Sequence, residues 1–168
     1  MKKITLVIAF IFTAIVSNQT NAQNSAQASA NAAVTLITPI SIIKVTDLEF
    51  GTFVASATAG TITMTPAGTV SAGGGVTQIN GGTISAAAFT VAGETGQSFA
   101  ITLPSAPVSL TGTVEGDALS LDGFTSTPDG TGAIGTDQTI SVGGTLTVPG
   151  NSKADTYTGT FDVTVNYN

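Results

Sequence analysis

The chain contains no cysteine, no histidine and no tryptophan, few aromatics, and only four Lys and Arg residues. Each absence removes a class of function. Without His and Cys the commonest general base, the thiol nucleophile and the usual transition-metal ligands are missing, so the residues point to a non-enzymatic protein with no cofactor. Without Cys, an oxidising compartment supplies no cross-links, and stability rests on packing and strand pairing. Lys2 and Lys3 stand at the start, which leaves Lys44 and Lys153 against ten acidic residues, 2 − 10 = −8. Two cations cannot neutralise a run of phosphates, which argues against nucleic acid and against anionic membrane surfaces as partners. The low aromatic content also argues against an outer-membrane barrel, which carries aromatic girdles at both interfaces.

The first residues that are informative by presence are Met1-Lys2-Lys3, the apolar run from Ile4 to Val16, and the polar stretch ending at Ala22. These are the basic, apolar and small-residue parts of a secretory signal peptide, with cleavage expected after Ala22. The apolar run, about 13 residues, falls short of the ~20 that span a bilayer. The expected mature chain, about 146 residues, is enough for one domain with a real core.

Beyond that point, short runs rich in Val, Ile, Thr and Phe recur between Gly, Asn, Asp and Pro, with no long helical pattern. Such spacing predicts an antiparallel β-sandwich or barrel. Asn80-Gly81, Asp122-Gly123 and Asp129-Gly130 read as tight turns. Gly73-Gly74-Gly75 reads as a loop tip, and Gly143-Gly144 as a bulge or turn splitting one strand into two. Pro104, Pro107, Pro128 and Pro149 lack a backbone donor and mark strand ends.

The clearest strand runs from Tyr157 to Tyr167. There Tyr157, Phe161, Val163, Val165 and Tyr167 share one parity and Thr158, Thr160, Asp162, Thr164 and Asn166 the other, the period of a half-buried strand. A second alternation sets Ala26, Ala28, Ala30, Ala32, Val34 and Leu36 on one parity against Ser25, Gln27, Ser29, Asn31 and Thr35 on the other. It fits either an extended segment that adds to a sheet edge or a flexible tail.

Other constellations lead less far. Asp117, Asp122, Asp129 and Asp137 form an acidic, Gly-rich stretch of the kind Ca²⁺ favours, yet lack the spacing of a calcium loop, and Asp before Gly is ordinary turn chemistry. Glu94, Glu115 and Asp117 show no sign of converging as a glycosidase pair, so no catalytic, cofactor or metal residue is assigned.

Several segments resemble the exported bacterial family known as domain of unknown function 4402: Ile37-Thr38-Pro39-Ile40-Ser41-Ile42, Asp47-Leu48-Glu49-Phe50-Gly51-Thr52-Phe53, Ala88 to Glu94, Phe99 to Pro104, Val142 to Val148, and Thr156 to Tyr167. More distantly, through Leu48-Glu49-Phe50-Gly51-Thr52 and the C-terminal strand, the chain resembles spore-coat-U-like subunits of archaic chaperone-usher pili. That resemblance implies an immunoglobulin-like, pilin-like sandwich lacking one strand, which a periplasmic chaperone and then the N-terminal extension of another copy supplies. The donor strand would carry Ala26, Ala28, Ala30, Ala32, Val34 and Leu36, and Phe161, Val163, Val165 and Tyr167 would line or flank the acceptor. The Cys pair common in pilus subunits is missing, and an Ala face buries little area.

The expected organisation is a signal peptide over 1–22, an extension over 23–36 and an all-β domain over 37–168. The expected function is an exported pilus- or fimbria-like subunit, located in the periplasm, at the cell surface or outside the cell. The alternative is a monomeric secreted or cell-surface binding domain whose N-terminal tail is a spacer.

Overall fold

The computed structural model describes residues 25–113, 117–135 and 138–168. The expected signal peptide, Glu115 and Asp137 lie outside the described residues. The chain divides into two units after Thr35. In the first, residues 25–35 are exposed and enter no strand. Val34 and Leu36, on either side of the division, are each more than four-fifths exposed.

The second unit is all β, without a helix among the described residues. Its strands are β1 (Ser41–Thr46), β2 (Glu49–Met64), β3 (Val70–Ser85), β4 (Ala87–Ala92), β5 (Ser98–Thr102), β6 (Val108–Gly112), β7 (Ala118–Thr127), β8 (Thr131–Ala133), β9 (Gln138–Val148), β10 (Tyr157–Thr158) and β11 (Thr164–Tyr167). Every ladder between them is antiparallel.

Strand β9 is the spine of the larger sheet. Ile140, Val142, Leu146 and Val148 are buried and alternate with Thr139, Ser141, Thr145 and Thr147 on the other face, where the hydroxyls of Thr63 and Thr145 hydrogen-bond at 3.1 Å. One edge of β9 pairs first with β4 and then with the end of β2. Its other edge pairs with β7, and β6 and β10 follow outward in that order. The Gly143-Gly144 pair is therefore no turn. It sits where β9 exchanges β4 for β2, and a side chain on Gly143 would run into the Met64 carbonyl.

Other punctuation is also absorbed into strands. β2 and β3, 16 residues each, make one long ribbon joined through Thr65–Thr69. Gly73-Gly74-Gly75 lies within β3 rather than at a loop tip, and Asn80-Gly81 within a register jump opposite Phe50–Thr52. Asp122-Gly123 likewise falls in a bulge of β7. These corrections share a cause: residues that tolerate positive φ serve a bulge as well as a turn, and Gly74, Gly81, Gly82 and Gly123 all have it. Asp129-Gly130 does form the bend into β8, with Gly130 at φ 64°. The prolines mark strand ends as expected, since β7 stops before Pro128, β9 before Pro149, and β6 starts after Pro107.

A second, three-stranded sheet runs β11-β5-β8. The first core cluster joins the two sheets: Ala87, Val91, Ile140 and Val142 from the larger meet Phe99 and Val165 from the smaller, with Ile134 beside them. A second cluster holds Ile62, Val76, Leu119, Leu121, Leu146 and Val148, all from the larger sheet. No residue of the three-stranded sheet takes part in it. Half of the larger sheet's apolar face thus has a covering sheet and half does not.

Candidate functional site

The uncovered half opens as a groove of about 870 Å³. Its floor is Leu110, Leu119, Leu121, Leu146 and Val148, inward positions of β6, β7 and β9. One wall is the first part of β2, with Phe50 and Phe53. The other is the C-terminal run from Ser152 to Phe161, with Tyr157 and Phe161. Period-2 patterning places Leu110, Leu119, Leu121, Leu146 and Val148 on the inner face. Phe50 and Phe53, of opposite parity, both turn inward because the register shifts between Phe50 and Thr52, and the topology leaves that face uncovered.

Both walls are sheet edges. Glu49 to Ala55 pairs with β3 alone, because the β9 ladder takes up β2 only from Gly60 onward. β10 pairs with β6 alone. The strand expected over Tyr157–Tyr167 is interrupted here: Gly159 to Val163 enters no ladder, because the run leaves the larger sheet at Thr158 and joins β5 at Thr164. Its alternation persists across the gap, with Phe161, Val163, Val165 and Tyr167 turned in and Thr160, Asp162, Thr164 and Asn166 exposed. A groove between two edges presents unpaired N–H and C=O groups as well as apolar surface, the two features that an added strand satisfies together.

The four expected assembly residues separate. Phe161 lines the groove. It lies between the two clusters, edge-on to Phe89 at 6.5 Å and tilted against Phe124 at 5.0 Å. Val163 and Val165 pack into the first cluster, and Tyr167 packs against it. The expected donor residues Ala26, Ala28, Ala30 and Ala32 are exposed.

The charged residues that line the groove are Lys44, Asp47 and Glu49 beside the β2 wall and Lys153 and Asp155 on the C-terminal run. Lys44 pairs with Asp47 at 2.5 Å, and Lys153 with Asp117 at 3.6 Å. Near Lys153, Asp155 accepts from the Thr113 hydroxyl and from the Thr156 amide. The Tyr157 hydroxyl donates to the Lys153 carbonyl at 2.9 Å. Burial, helped by the negative charges of Asp117 and Asp155, pushes its pKa up. Among the described residues no three acidic side chains converge on a point that could hold a metal ion, and no helix is long and apolar enough to cross a membrane.

The family described as Domain of unknown function (DUF4402) matches residues 40–167, most of the chain. The chain belongs to this family. No curated protein and no solved structure matches it. The matched span of the DUF4402 chain takes in both walls and the floor of the groove.

Beyond the groove, Thr38 is held by a polar cluster that sequence patterning did not reveal. Its amide and hydroxyl donate to Glu94 Oε2 at 3.1 and 2.9 Å, and its carbonyl accepts from the Tyr167 hydroxyl at 2.6 Å. That hydroxyl accepts in turn from the Glu94 amide at 2.7 Å. The two bonds from Thr38 hold the Glu94 carboxyl below the usual carboxylate range, against a smaller opposing effect of burial. A folded-state pKa below the unfolded one stabilises above the unfolded value, and this is lost as pH falls through the folded one. The protection of the Thr38 amide, its exchange relative to an unstructured chain at the same pH, is therefore expected to hold from neutral pH to about 5 and to fall below the ordinary Glu range. Exchange that keeps its protection through acid would show that the carboxylate does not hold the amide.

Proposed function

We propose that this DUF4402 protein is an exported, non-enzymatic structural subunit of pilus- or fimbria-like assemblies: a pilin-like, immunoglobulin-like β-sandwich one strand short. Its groove accepts the 24–36 segment of another copy. The observation that carries this reading is the apolar groove walled by two sheet edges whose ladders stop short of each other.

The occupant follows from chemistry on both sides. Residues 23–43 carry no charge, matching a floor that is wholly apolar. Their alternation presents one small apolar face inward and Ser, Gln, Asn and Thr outward. Ala at four positions suits a groove already narrowed by Phe50, Phe53, Tyr157 and Phe161. Val34 and Leu36 contribute most of the apolar gain, roughly 1.5–3 kcal/mol each if fully buried, and main-chain bonds to both edges add to it. A periplasmic chaperone would fill the same groove before assembly, in keeping with the resemblance and with an exported chain.

A synthetic peptide of residues 24–36, added while the purified mature protein assembles, tests the reading. It is expected to occupy free grooves and shorten the polymers in proportion to its concentration, as seen by electron microscopy. A protein that stays monomeric at high concentration and ignores the peptide would favour the self-contained binding domain.

A further inference from the structure

Asn80-Gly81 stands where the β2–β3 ladder skips. Thr52 pairs with Ile79 and Phe50 with Ile84, so Gly51 alone faces the stretch from Asn80 to Thr83, and none of these enters a pair. Such a bulge disrupts the ladder locally. Gly51, Gly81 and Gly82 take positive φ, at 92°, 134° and 72°, a backbone that glycine adopts at no steric cost. Asn80 to Thr83 are all exposed. A Cβ built on Gly81 would approach only Thr52, at 3.5 Å or more, so the space beside Gly81 is open.

These are the conditions for a reaction that needs no enzyme, metal or oxidant. The Gly81 amide nitrogen loses its proton to base and attacks Cγ of Asn80. The new N–Cγ bond forms, the bond from Cγ to the side-chain nitrogen breaks, and that nitrogen takes a proton from solvent and leaves as ammonia. The resulting cyclic imide takes up water. Addition at Cγ gives aspartate at position 80; addition at the main-chain carbonyl carbon gives isoaspartate, in which the chain runs through the former side chain. Ring closure requires the Asn side chain and the next nitrogen to swing into line, which a strand ladder prevents and a side chain on the next residue obstructs. Asn31, Asn151 and Asn166 each fail one of these requirements. Asn31 is exposed but precedes Ala32. Asn151 precedes Ser152, whose amide donates to the Pro149 carbonyl at 3.4 Å. Asn166 pairs with Ala100 in a ladder and precedes Tyr167.

We propose that Asn80-Gly81 is a site of spontaneous modification in the folded protein, where loss of the amide gives aspartate and isoaspartate and adds a negative charge. Gly82 and Thr83 line the groove, so the charge arises beside the β2 wall, in a bulge whose backbone is already irregular. The modification is independent of what fills the groove.

The purified mature protein, kept folded in mildly alkaline buffer and sampled over weeks, tests this by peptide mapping with mass spectrometry. Asn80 is expected to convert, with isoaspartate in excess, and to convert faster as pH rises. Its rate is expected to exceed that of Asn31, whose successor carries a methyl group, by roughly tenfold or more. A synthetic peptide of residues 76–86 gives the rate without the fold, and the folded protein is expected to stay within severalfold of it. An Asn80 that stays intact while the peptide converts would overturn the proposal. Equal conversion at Asn31 would overturn it too, because exposure alone would then be the cause. Asn80→Gln keeps the amide but adds a methylene, so the imide closes slowly, and this variant is expected to run as a single species on ion exchange where the parent splits into two charge forms. A variant that splits as the parent does would place the reaction elsewhere and overturn the assignment. The parent's peptide map decides the matter whether or not the variant folds.

Discussion

Removal of residues 23–36 is expected to abolish self-assembly, leaving a monomer at concentrations where the mature chain is expected to polymerise. Val34 and Leu36 alone, at roughly 1.5–3 kcal/mol each when buried, account for a hundredfold or more in association at about 1.4 kcal/mol per tenfold. The truncated protein also loses the strand that would pair Glu49–Ala55 and the C-terminal run. Light scattering on the purified truncation reads the result directly. Because an unfilled groove leaves Leu110, Leu119 and Leu121 accessible, the same protein is expected to bind a hydrophobic dye more strongly than the polymer does. Should the truncation fold poorly, Ala30→Asp in the full chain makes the same point. It puts a charge on the inward parity, where burial without a partner costs several kcal/mol. Polymers that survive both changes would sink the donor role.

The groove was hard to see in the sequence for a physical reason. Leu110, Leu119, Leu121, Leu146 and Val148 each sit at an ordinary inward position of an alternating strand, and alternation tells which face a side chain takes, not whether another layer covers it. Coverage depends on where the three-stranded sheet ends, and that is set by pairings such as Val165 with Ile101, far apart in the chain. The all-β character was legible because it is local: Ile140 and Val142 alternate with Thr139 and Ser141 whatever they pack on. The long ribbon was not, because Gly73-Gly74-Gly75 and Asn80-Gly81 carry the same signature in a bulge as in a turn. The grip on Thr38 had no local signal, since Glu94 lies 56 positions away and Tyr167 lies 129 away.

Phe161 shows how the groove and the rest of the fold are coupled, and Phe161→Ala is expected to destabilise the protein by about 3 kcal/mol. Its ring packs against both core clusters and touches Phe89 on one side and Phe124 on the other. Truncation therefore removes contacts from both clusters and the aromatic pairs between them, while Gly159–Val163 has no ladder of its own to hold it. Against a total stability of 5–15 kcal/mol for a typical domain, that loss corresponds to a fall in melting temperature of about 10 °C. Phe161→Leu keeps much of the volume and is expected to cost about 1 kcal/mol. Thr160→Ala, at an exposed neighbour, is expected to stay within about 0.5 kcal/mol of the parent. Denaturant melts of the monomeric truncation separate the three without interference from assembly. If Phe161→Ala melts like the parent, the two clusters do not depend on this ring. If it melts in two steps, the covered and uncovered halves unfold separately, and the ring is what joins the groove to the rest of the domain.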